Sequence, residues 1–220
     1  MADIQRVLLV MAKRPEAGET KTRLCPPLSP ERAAALYACF LADVIETARA
    51  ASAALPGLVP AIAYVPEDAA AYFREIAPDF ALIPQVGATL GERLADILSG
   101  VLAQGYAQVA AVNSDSPSLP PAYLIQAFAS LDDPATDVVL GPCDDGGYYL
   151  IGWKRPHPFL VRDARMSTPD TLADTLALAA RARLRVALLP AWYDVDSPDD
   201  LARLATDHGL GRHTRQFLTR

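Results

Sequence analysis

The sequence predicts an α/β fold with a mostly parallel sheet, because strand-like and helix-like segments alternate along the whole chain. Residues 4–11 form a continuous apolar run of strand length, which is typical of a strand buried on both faces. Polar loops follow this run and the later run at 107–112, at the strand ends where open α/β sheets bind ligands. At 220 residues the chain fits a single domain, 1–220.

The helices are predicted mainly from their start signals. A Ser or Thr followed by Pro and an acidic residue stands at 29–31, 168–170 and 197–200, and the pair Pro120 and Pro121 opens another helix. Apolar residues at helical spacing indicate one more, from residue 89 onward. The predicted helices are 30–54, 67–76, 89–104 and 120–131, with two more that open at 168–170 and 197–200.

The strands are predicted from the short apolar runs that separate these helices. The two runs on either side of the turn at 143–147 are close enough in sequence to reverse direction and pair. The predicted strands are 4–11, 58–65, 80–84, 107–112, 137–140, 148–151 and 184–189.

Composition argues against several classes of protein. The formal net charge of −6 disfavours a nucleic-acid-binding surface, which needs a basic face. The cysteines Cys25, Cys39 and Cys143 are odd in number and form no C-x-x-C pair, which argues against a disulfide framework or a zinc site. The N-terminal residues lack the pattern of a signal peptide, and no apolar stretch approaches the roughly 20 residues that cross a bilayer. We therefore expect a cytoplasmic protein with no membrane partner.

The loop after the first strand is basic and predicts a phosphate site. It leaves a buried strand and ends before a helix, a position where phosphates are commonly bound. Lys13, Lys21 and Arg23 would neutralise a di- or triphosphate, and Gly18 would permit close approach of the backbone. The loop is not a Walker A loop, which requires G-x-x-x-x-G-K-[ST]. The alternative is a solvated loop whose basic residues hold no ligand.

Carboxylates at two further strand ends predict a divalent-cation site. Asp115 follows the strand 107–112, and one or two protein carboxylates commonly hold Mg²⁺ against phosphate oxygens. Ser114, beside it, is assigned to the nucleotide site. Asp194 and Asp196 alternate along an extended segment, so both point to one face and repel each other unless a cation or donor lies between them. The alternative for Asp115 is a turn in which the carboxylate bonds its own backbone.

Two more residues are candidates for ligand contacts. Asp145, which precedes Gly146 and Gly147, would contact a sugar or acceptor hydroxyl, although Asp-Gly is also a plain turn signal. Arg93 lies near the positive end of the helix 89–104, where a cation is unfavourable, so it is assigned to a phosphate or carboxylate of the ligand. Pairing with a neighbouring acidic residue is the alternative for Arg93.

These motifs, taken in order, resemble the bacterial DUF2064 family, whose members are often described as glycosyltransferases, some of them linked to arsenosugar biosynthesis. The N-terminal loop is also similar to that of the 2-phospholactate guanylyltransferases, which belong to the same nucleotide-diphospho-sugar transferase superfamily. The motifs that carry the resemblance lie at 12–24, 90–93 (LGER), 114–117 (SDSP), 141–152 (GPCDDGGYYLIG) and 194–198 (DVDSP).

The resemblance implies a single-domain, GT-A-like three-layer α/β/α sandwich with a mixed, mostly parallel sheet and Mg²⁺ or Mn²⁺ beside the nucleotide phosphates. The sequence departs from that pattern at two places. A typical GT-A glycosyltransferase has Asp-x-Asp where this chain has Ser114, Asp115 and Ser116, an arrangement more like that of nucleotidyltransferases. The family often has Trp where this chain has Met166, a difference that bears on the acceptor pocket.

We therefore expect a metal-dependent transferase that uses a nucleotide-activated donor. Lys21, Arg23 and Asp145 are the expected catalytic residues, because the two cations would stabilise the leaving group and Asp145 would contact the acceptor or the sugar. Glycosyl transfer from a nucleotide sugar to a small acceptor is favoured by the resemblance. Nucleotidyl transfer from an NTP to a small phosphorylated acceptor, with release of pyrophosphate, is the alternative that the basic loop favours. A non-catalytic nucleotide-binding module is a third reading, and the base, the sugar, the acceptor and the oligomeric state stay open.

Overall fold

A computed structural model describes residues 5–219. Within that range, one seven-stranded sheet has the order β3-β2-β1-β4-β6-β5-β7. Its strands are β1 (Arg6–Lys13), β2 (Leu58–Val65), β3 (Ala81–Pro84), β4 (Gln108–Val112), β5 (Val138–Pro142), β6 (Tyr148–Trp153) and β7 (Val186–Leu188). The helices are α1 (Pro30–Ala54), α2 (Ala70–Ile76), α3 (Leu90–Ala103), α4 (Pro121–Asp132), α5 (Phe159–Arg162), α6 (Thr171–Arg181), α7 (Pro198–Ala205) and α8 (Arg212–Leu218).

The sheet is mixed and mostly parallel, which confirms the predicted fold class. Strand β6 runs antiparallel to both of its neighbours, β4 and β5, while the other adjacent pairs are parallel. The predicted reversal of direction at the turn 143–147 is therefore confirmed. The carboxyl ends of the six parallel strands lie at one edge of the sheet, together with the start of β6.

Helices cover both faces of the sheet and form the outer two layers. Side chains of β1 alternate between the faces: Leu8 and Val10 pack with α1, α2 and α4, whereas Val7 and Leu9 pack with α3, α5 and α6. This burial on both sides explains why the strand is a continuous apolar run. No helix among residues 5–219 is both long enough and apolar enough to cross a membrane.

Most element boundaries agree with the sequence prediction, with a few corrections. The first strand begins at Arg6 and runs to Lys13, later than predicted, and Ile4 lies outside the described residues. The segment 67–76 divides into a 3-10 turn followed by α2. Strand β7 is shorter than the predicted 184–189. Helices α5 and α8 and the 3-10 turn Thr22–Leu24 are not predicted from the sequence.

The helix predicted to open at 168–170, with Pro169 as its first residue, begins two residues later, at Thr171. The reason is local hydrogen bonding, since the Thr168 hydroxyl accepts from the backbone N–H of Asp170 and donates to the carbonyl of Arg165. The Thr171 hydroxyl donates to the same carbonyl. These bonds hold the segment in a turn, so the start signal marks the turn that precedes the helix.

The C-terminal helix α8 is held to α1 by a buried carboxylate. Asp43 is 2% exposed and accepts hydrogen bonds from the backbone N–H groups of His213 (2.9 Å) and Thr214 (2.8 Å). It therefore satisfies donors at the start of α8 that no residue of that helix can satisfy. Gly211 permits this approach, since a Cβ there would lie 2.2 Å from the Asp43 carboxyl carbon.

We predict that Asp43→Ala lowers the free energy of unfolding by about 2 kcal/mol, because two buried backbone donors lose their acceptor. The measurement is urea denaturation. Glu46→Ala is the matched control on the same helix: Glu46 pairs with Arg212 at the surface, so its loss should cost less than about 1 kcal/mol. Equal losses in the two variants would contradict this role for Asp43.

Candidate active site

A cavity of about 500 Å³ opens at the carboxyl edge of the sheet, where several loops converge. Its floor is formed by the ends of β1 and β4 and the start of β6, as expected for a ligand site of an open α/β sheet. The polar residues that line it are Arg23, Asn113, Asp115, Asp145, Ser167, Thr168, Thr171, Asp194 and Asp196, and the apolar ones include Met11, Leu90, Leu94, Tyr148, Ile151 and Met166.

A buried lysine joins two of the predicted carboxylates. The Lys21 ammonium lies 2.5 Å from Asp115 Oδ1 and 2.7 Å from Asp196 Oδ1, with its side chain only 5% exposed. Arg23 contacts the other oxygen of Asp196 at 2.6 Å and is 75% exposed. Burial opposes the charge on Lys21, but the two carboxylates more than offset it and raise the pKa of Lys21 above its ordinary value.

Lys21 reaches this position because of the local backbone. It has φ 51° and ψ 37°, the left-handed conformation, directly before the 3-10 turn Thr22–Leu24. That turn is anchored by Leu24, which is fully buried beside α1 and the segment that contains Val195. A non-glycine residue in this conformation carries strain, which the surrounding packing and the two ion pairs offset.

The loop that contains Asp115 is held from behind. Ser114 Oγ shares a 2.8 Å hydrogen bond with the hydroxyl of Tyr37, which also accepts from the backbone N–H of Lys13. The carbonyl of Asp115 accepts from the N–H of Val195 at 2.9 Å. The loops after β1, β4 and β7 are therefore tied together, and Asp115 and Asp196 are brought to one cation.

Asp194 is the carboxylate with the least favourable environment. The pKa of Asp194 is raised to about 7. Burial is the largest cause, and repulsion from Asp145, Asp196 and Asp115 adds to it. No ion pair to Asp194 exists within the described part of the chain. Asp194 and Asp196 both line the cavity while Val195 between them is fully buried, which is the alternation that the sequence predicts.

The turn between β5 and β6 places Asp145 in the lining of the same cavity. Asp145 Oδ1 accepts from the N–H of Gly147 at 2.8 Å, so the plain turn and the site are compatible. Gly146 has φ 89°, and a Cβ there would lie 2.0 Å from the carbonyl of Pro169. Only glycine fits, because both the backbone conformation and the close approach of the 165–170 segment require it.

The remaining predicted residues lie outside this cavity. Lys13 lines a smaller neighbouring cavity of about 220 Å³ and pairs with Glu19 at 3.2 Å on the surface. Gly18 has φ 80° and stands in open space on the loop. The Ser114 hydroxyl is turned to Tyr37 in the interior. Arg93 donates to the carbonyl of Gly87 at 2.9 Å, because a first-turn arginine can reach back to the loop before its helix.

Cys143, Asn113 and Tyr148 also lie at the site, although their sequence motifs predicted no ligand role for them. Cys143, Asp145 and Asp194 offer ligand atoms that all lie within 4.8 Å of one another, and burial is the main cause that raises the pKa of the Cys143 thiol. Cys143 and Tyr148 both belong to the motif at 141–152, so their positions in that motif could have indicated a place at the site. Met166 was identified as a departure from the family, and it does line the cavity.

Comparison with known proteins found one matching family and many similar structures. A model for DUF2064, described as an uncharacterized protein conserved in bacteria, matches residues 47–168. A crystal structure from Desulfovibrio desulfuricans G20, described as a candidate nucleotide-diphospho-sugar transferase, is 31% identical to this chain. The match covers 97% of this chain and 94% of that chain, with a TM-score of 0.86. No curated protein gives a significant sequence match.

More distant structures share the fold. A nucleotidyl transferase from Methanothermobacter is 17% identical, with 98% of each chain covered and a TM-score of 0.58. CMP:2-keto-3-deoxy-manno-octonic acid synthetase complexed with CTP is 14% identical over 91% of this chain and 96% of that chain, with a TM-score of 0.57. These likenesses agree with the GT-A-like three-layer fold, and the Desulfovibrio relative supports the transferase class.

We predict that Lys21→Met lowers the free energy of unfolding by about 3 kcal/mol in EDTA at neutral pH, because two partly buried carboxylates lose their shared cation. Lys13→Met is the matched control, since its surface ion pair should contribute less than about 1 kcal/mol. Urea denaturation measures both. Burial opposes the charge on Asp196, but Lys21 and Arg23 more than offset it and hold the pKa of Asp196 below its ordinary value, so the loss in Lys21→Met should shrink at low pH, where Asp196 is protonated. Similar losses for both lysines would refute the bridging role.

We predict that Asp194→Asn raises the melting temperature in EDTA at pH 8 by about 2–5 °C and leaves it nearly unchanged at pH 4. The pKa of Asp194 is higher folded, at about 7, than unfolded, so the wild type loses stability as pH rises from about 4 to 7. Asparagine does not ionise and avoids that loss. Differential scanning calorimetry at both pH values measures it, with exposed Asp96→Asn as the control. A gain that is independent of pH would contradict the assignment.

Proposed function

We propose that this chain, which belongs to the DUF2064 family, is a metal-dependent glycosyltransferase that moves a sugar from a nucleotide sugar to a small acceptor. One observation carries the proposal: four aspartates and one cation line one cavity at the carboxyl edge of the sheet, and a second, buried cation joins two of those aspartates. The four aspartates are Asp115, Asp145, Asp194 and Asp196, and the cations are Lys21 and Arg23. The 31% identity to the Desulfovibrio relative supports the transferase class.

The charge at this cavity suits a divalent cation. When all four carboxylates are ionised, Lys21 and Arg23 compensate two of the four negative charges, and a divalent ion supplies the other two. The donors are carboxylate oxygens, which Mg²⁺ and Mn²⁺ prefer. Asp194 is the best placed to accept the ion, because burial and then repulsion from neighbouring carboxylates raise its pKa to about 7, and Asp115 and Asp196 would complete the set. A bound divalent ion would neutralise phosphate charge on the donor and on the leaving group.

The chain's own cations have different tasks in this proposal. Lys21 holds Asp115 and Asp196 at fixed positions, since its ammonium is buried between them. Arg23 is exposed and held by a single carboxylate, so its guanidinium is free to turn to a phosphate of the donor. Lys13 could also turn to a phosphate of the donor, because its exposed ion pair with Glu19 is weak.

The reaction follows from these positions. An acceptor hydroxyl oxygen bonds to the anomeric carbon of the donor sugar, and the bond from that carbon to the diphosphate oxygen breaks. The electron pair leaves on the nucleoside diphosphate, and the hydroxyl proton passes to solvent. Arg23 and Lys13 would hold the diphosphate as its charge increases, and Asp145 would orient the acceptor or the sugar.

The charge balance favours a nucleoside-diphosphate sugar over a nucleoside triphosphate as donor. Because Lys21 is committed to two carboxylates, the basic loop offers fewer cations to phosphates than its sequence suggests. With a divalent ion in place the cavity is close to neutral. A nucleotide sugar, with two phosphate charges, then leaves less charge uncompensated than a triphosphate with about four.

We predict that a nucleotide sugar raises the melting temperature only when Mg²⁺ or Mn²⁺ is present, and that Asp115→Asn abolishes this shift. A ligand at about 100 times its dissociation constant stabilises the native state by about 2.7 kcal/mol, which a thermal-shift panel of nucleotide sugars and NTPs detects. Asp96→Asn is the matched control and should keep the full shift.

The panel and its product analysis also separate the competing functions. Release of a nucleoside diphosphate from the sugar donor supports glycosyl transfer. A shift with NTPs alone, followed by release of pyrophosphate, would replace glycosyl transfer with nucleotidyl transfer. Nucleotide binding that needs no metal and survives Asp115→Asn would instead indicate a non-catalytic module.

A further inference from the structure

We infer that the acceptor is an uncharged polyhydroxyl compound, such as a sugar or cyclitol, and that the cavity excludes phosphorylated acceptors. This inference rests on the proposed function and specifies the substrate class for the same site. It follows from the charges and the apolar surface that line the cavity, and from the contacts that Arg23 and Arg203 already make with other residues.

The described residues that line the cavity include four carboxylates and a single cationic side chain, that of Arg23. Arg23 is bonded to Asp196 at 2.6 Å, and in the proposed function it serves the donor diphosphate. Asp145 is the carboxylate that remains for an acceptor, because the proposed function assigns Asp115, Asp194 and Asp196 to the divalent ion, and Asp145 lies close to Asp194. A phosphate monoester placed beside Asp145 would meet like charge without a partner.

The neighbouring cavity does not supply the missing cation. Its volume is about 240 Å³, and it shares Asp145 and Asp194 with the main cavity and adds Arg203. The Arg203 guanidinium pairs with Asp144 at 2.7 Å and stacks over the ring of Tyr193 at 3.9 Å from the centroid. The ring of Tyr193 therefore holds the Arg203 guanidinium in place, so Arg203 is oriented by residues other than an acceptor.

A divalent ion does not change this conclusion. The ion brings the cavity close to neutral, and the donor diphosphate then returns it to negative. A second phosphate group on the acceptor would add to that excess. An ionised carboxylate, by contrast, only accepts hydrogen bonds, so the groups that suit Asp145 are neutral donors such as hydroxyls.

The rest of the cavity suits the carbon face of a ring. Leu90 is 39% exposed beside Leu94 and Met166, and the Tyr148 hydroxyl is turned to the Met166 sulfur at 3.5 Å. The polar end of Tyr148 is thus occupied, and its ring adds to the apolar lining. A polyhydroxyl ring presents hydroxyls at its rim and C–H groups on its face, which matches carboxylates combined with apolar side chains.

The experiment measures nucleoside diphosphate release from the identified nucleotide sugar with Mg²⁺ or Mn²⁺. The added acceptors are matched pairs: glucose and glucose 6-phosphate, inositol and inositol 1-phosphate, and glycerol and glycerol 3-phosphate. We expect a neutral member to accelerate release at least about tenfold more than its phosphorylated partner. A preference for phosphorylated members, or no acceleration by any neutral member, overturns the inference.

Charge reversal tests the cause. Asp145→Lys should shift the preference toward the phosphorylated partner by at least about tenfold, because it places a cation beside the acceptor. Asp96→Lys is the matched control, since Asp96 is exposed on α3 and does not line the cavity, and it should shift the preference less than about threefold. Equal shifts in both variants overturn the inference.

The donor readout separates the two proposals. A thermal shift by the nucleotide sugar with metal is recorded for every variant, which also reports folding. Absence of that shift in the wild type defeats the proposed function itself. A normal shift combined with preference for phosphorylated acceptors defeats only the inference about the acceptor.

Discussion

The ion pair of Lys21 with Asp115 and Asp196 is the interaction on which the rest of the site depends. It joins three segments that are distant in sequence: the loop after β1, the loop after β4 and the extended segment before α7. A buried ammonium without partners would be too costly to retain, and two partly buried carboxylates at one point would repel each other. Each charge is therefore tolerated because the others are present. The pair fixes the geometry at the carboxyl edge of the sheet more firmly than any single loop could.

The same arrangement explains why the cavity retains uncompensated negative charge. Lys21 compensates the inner carboxylates, whereas Asp194 and Asp145 receive no equivalent cation within the described chain. Burial and repulsion among the aspartates disfavour the ionised form of Asp194, and a bound cation or a proton would relieve that repulsion. Proteins commonly retain such unfavourable clusters at functional sites, where the ligand supplies the missing charge. The site's chemistry and its local instability thus have one cause.

Much of the fold could be predicted from the sequence because its signals are local. Ser29 and Ser197 cap α1 and α7, and Thr89 caps α3, as their start motifs indicate. The helix predicted from the start signal at 168–170 is present but begins later, at Thr171, because Thr168 bonds within a turn, a competition that periodicity does not reveal. Helix α8 was not predicted because its N-terminal donors are satisfied by Asp43, which belongs to a helix far away in the sequence.

The candidate site shows a similar division. The sequence predicts that Asp194 and Asp196 share a face, because a period of two is a property of the extended chain itself. The sequence does not predict the contact of Lys21 with Asp115 and Asp196, since strand order and the paths of the loops bring these residues together. Sequence alone also overstated the free positive charge of the basic loop, because it does not show which cations are already paired.

The most direct test of the central claim is a crystal structure of the protein with Mn²⁺ and a nucleoside diphosphate, with the metal located by its anomalous scattering. We expect a peak about 2–2.5 Å from carboxylate oxygens of Asp115 and at least one of Asp194 and Asp196, with the diphosphate beside Arg23. A metal bound elsewhere, for example at the Asp43, Glu46 and His213 cluster, with these aspartates unliganded, would contradict the account.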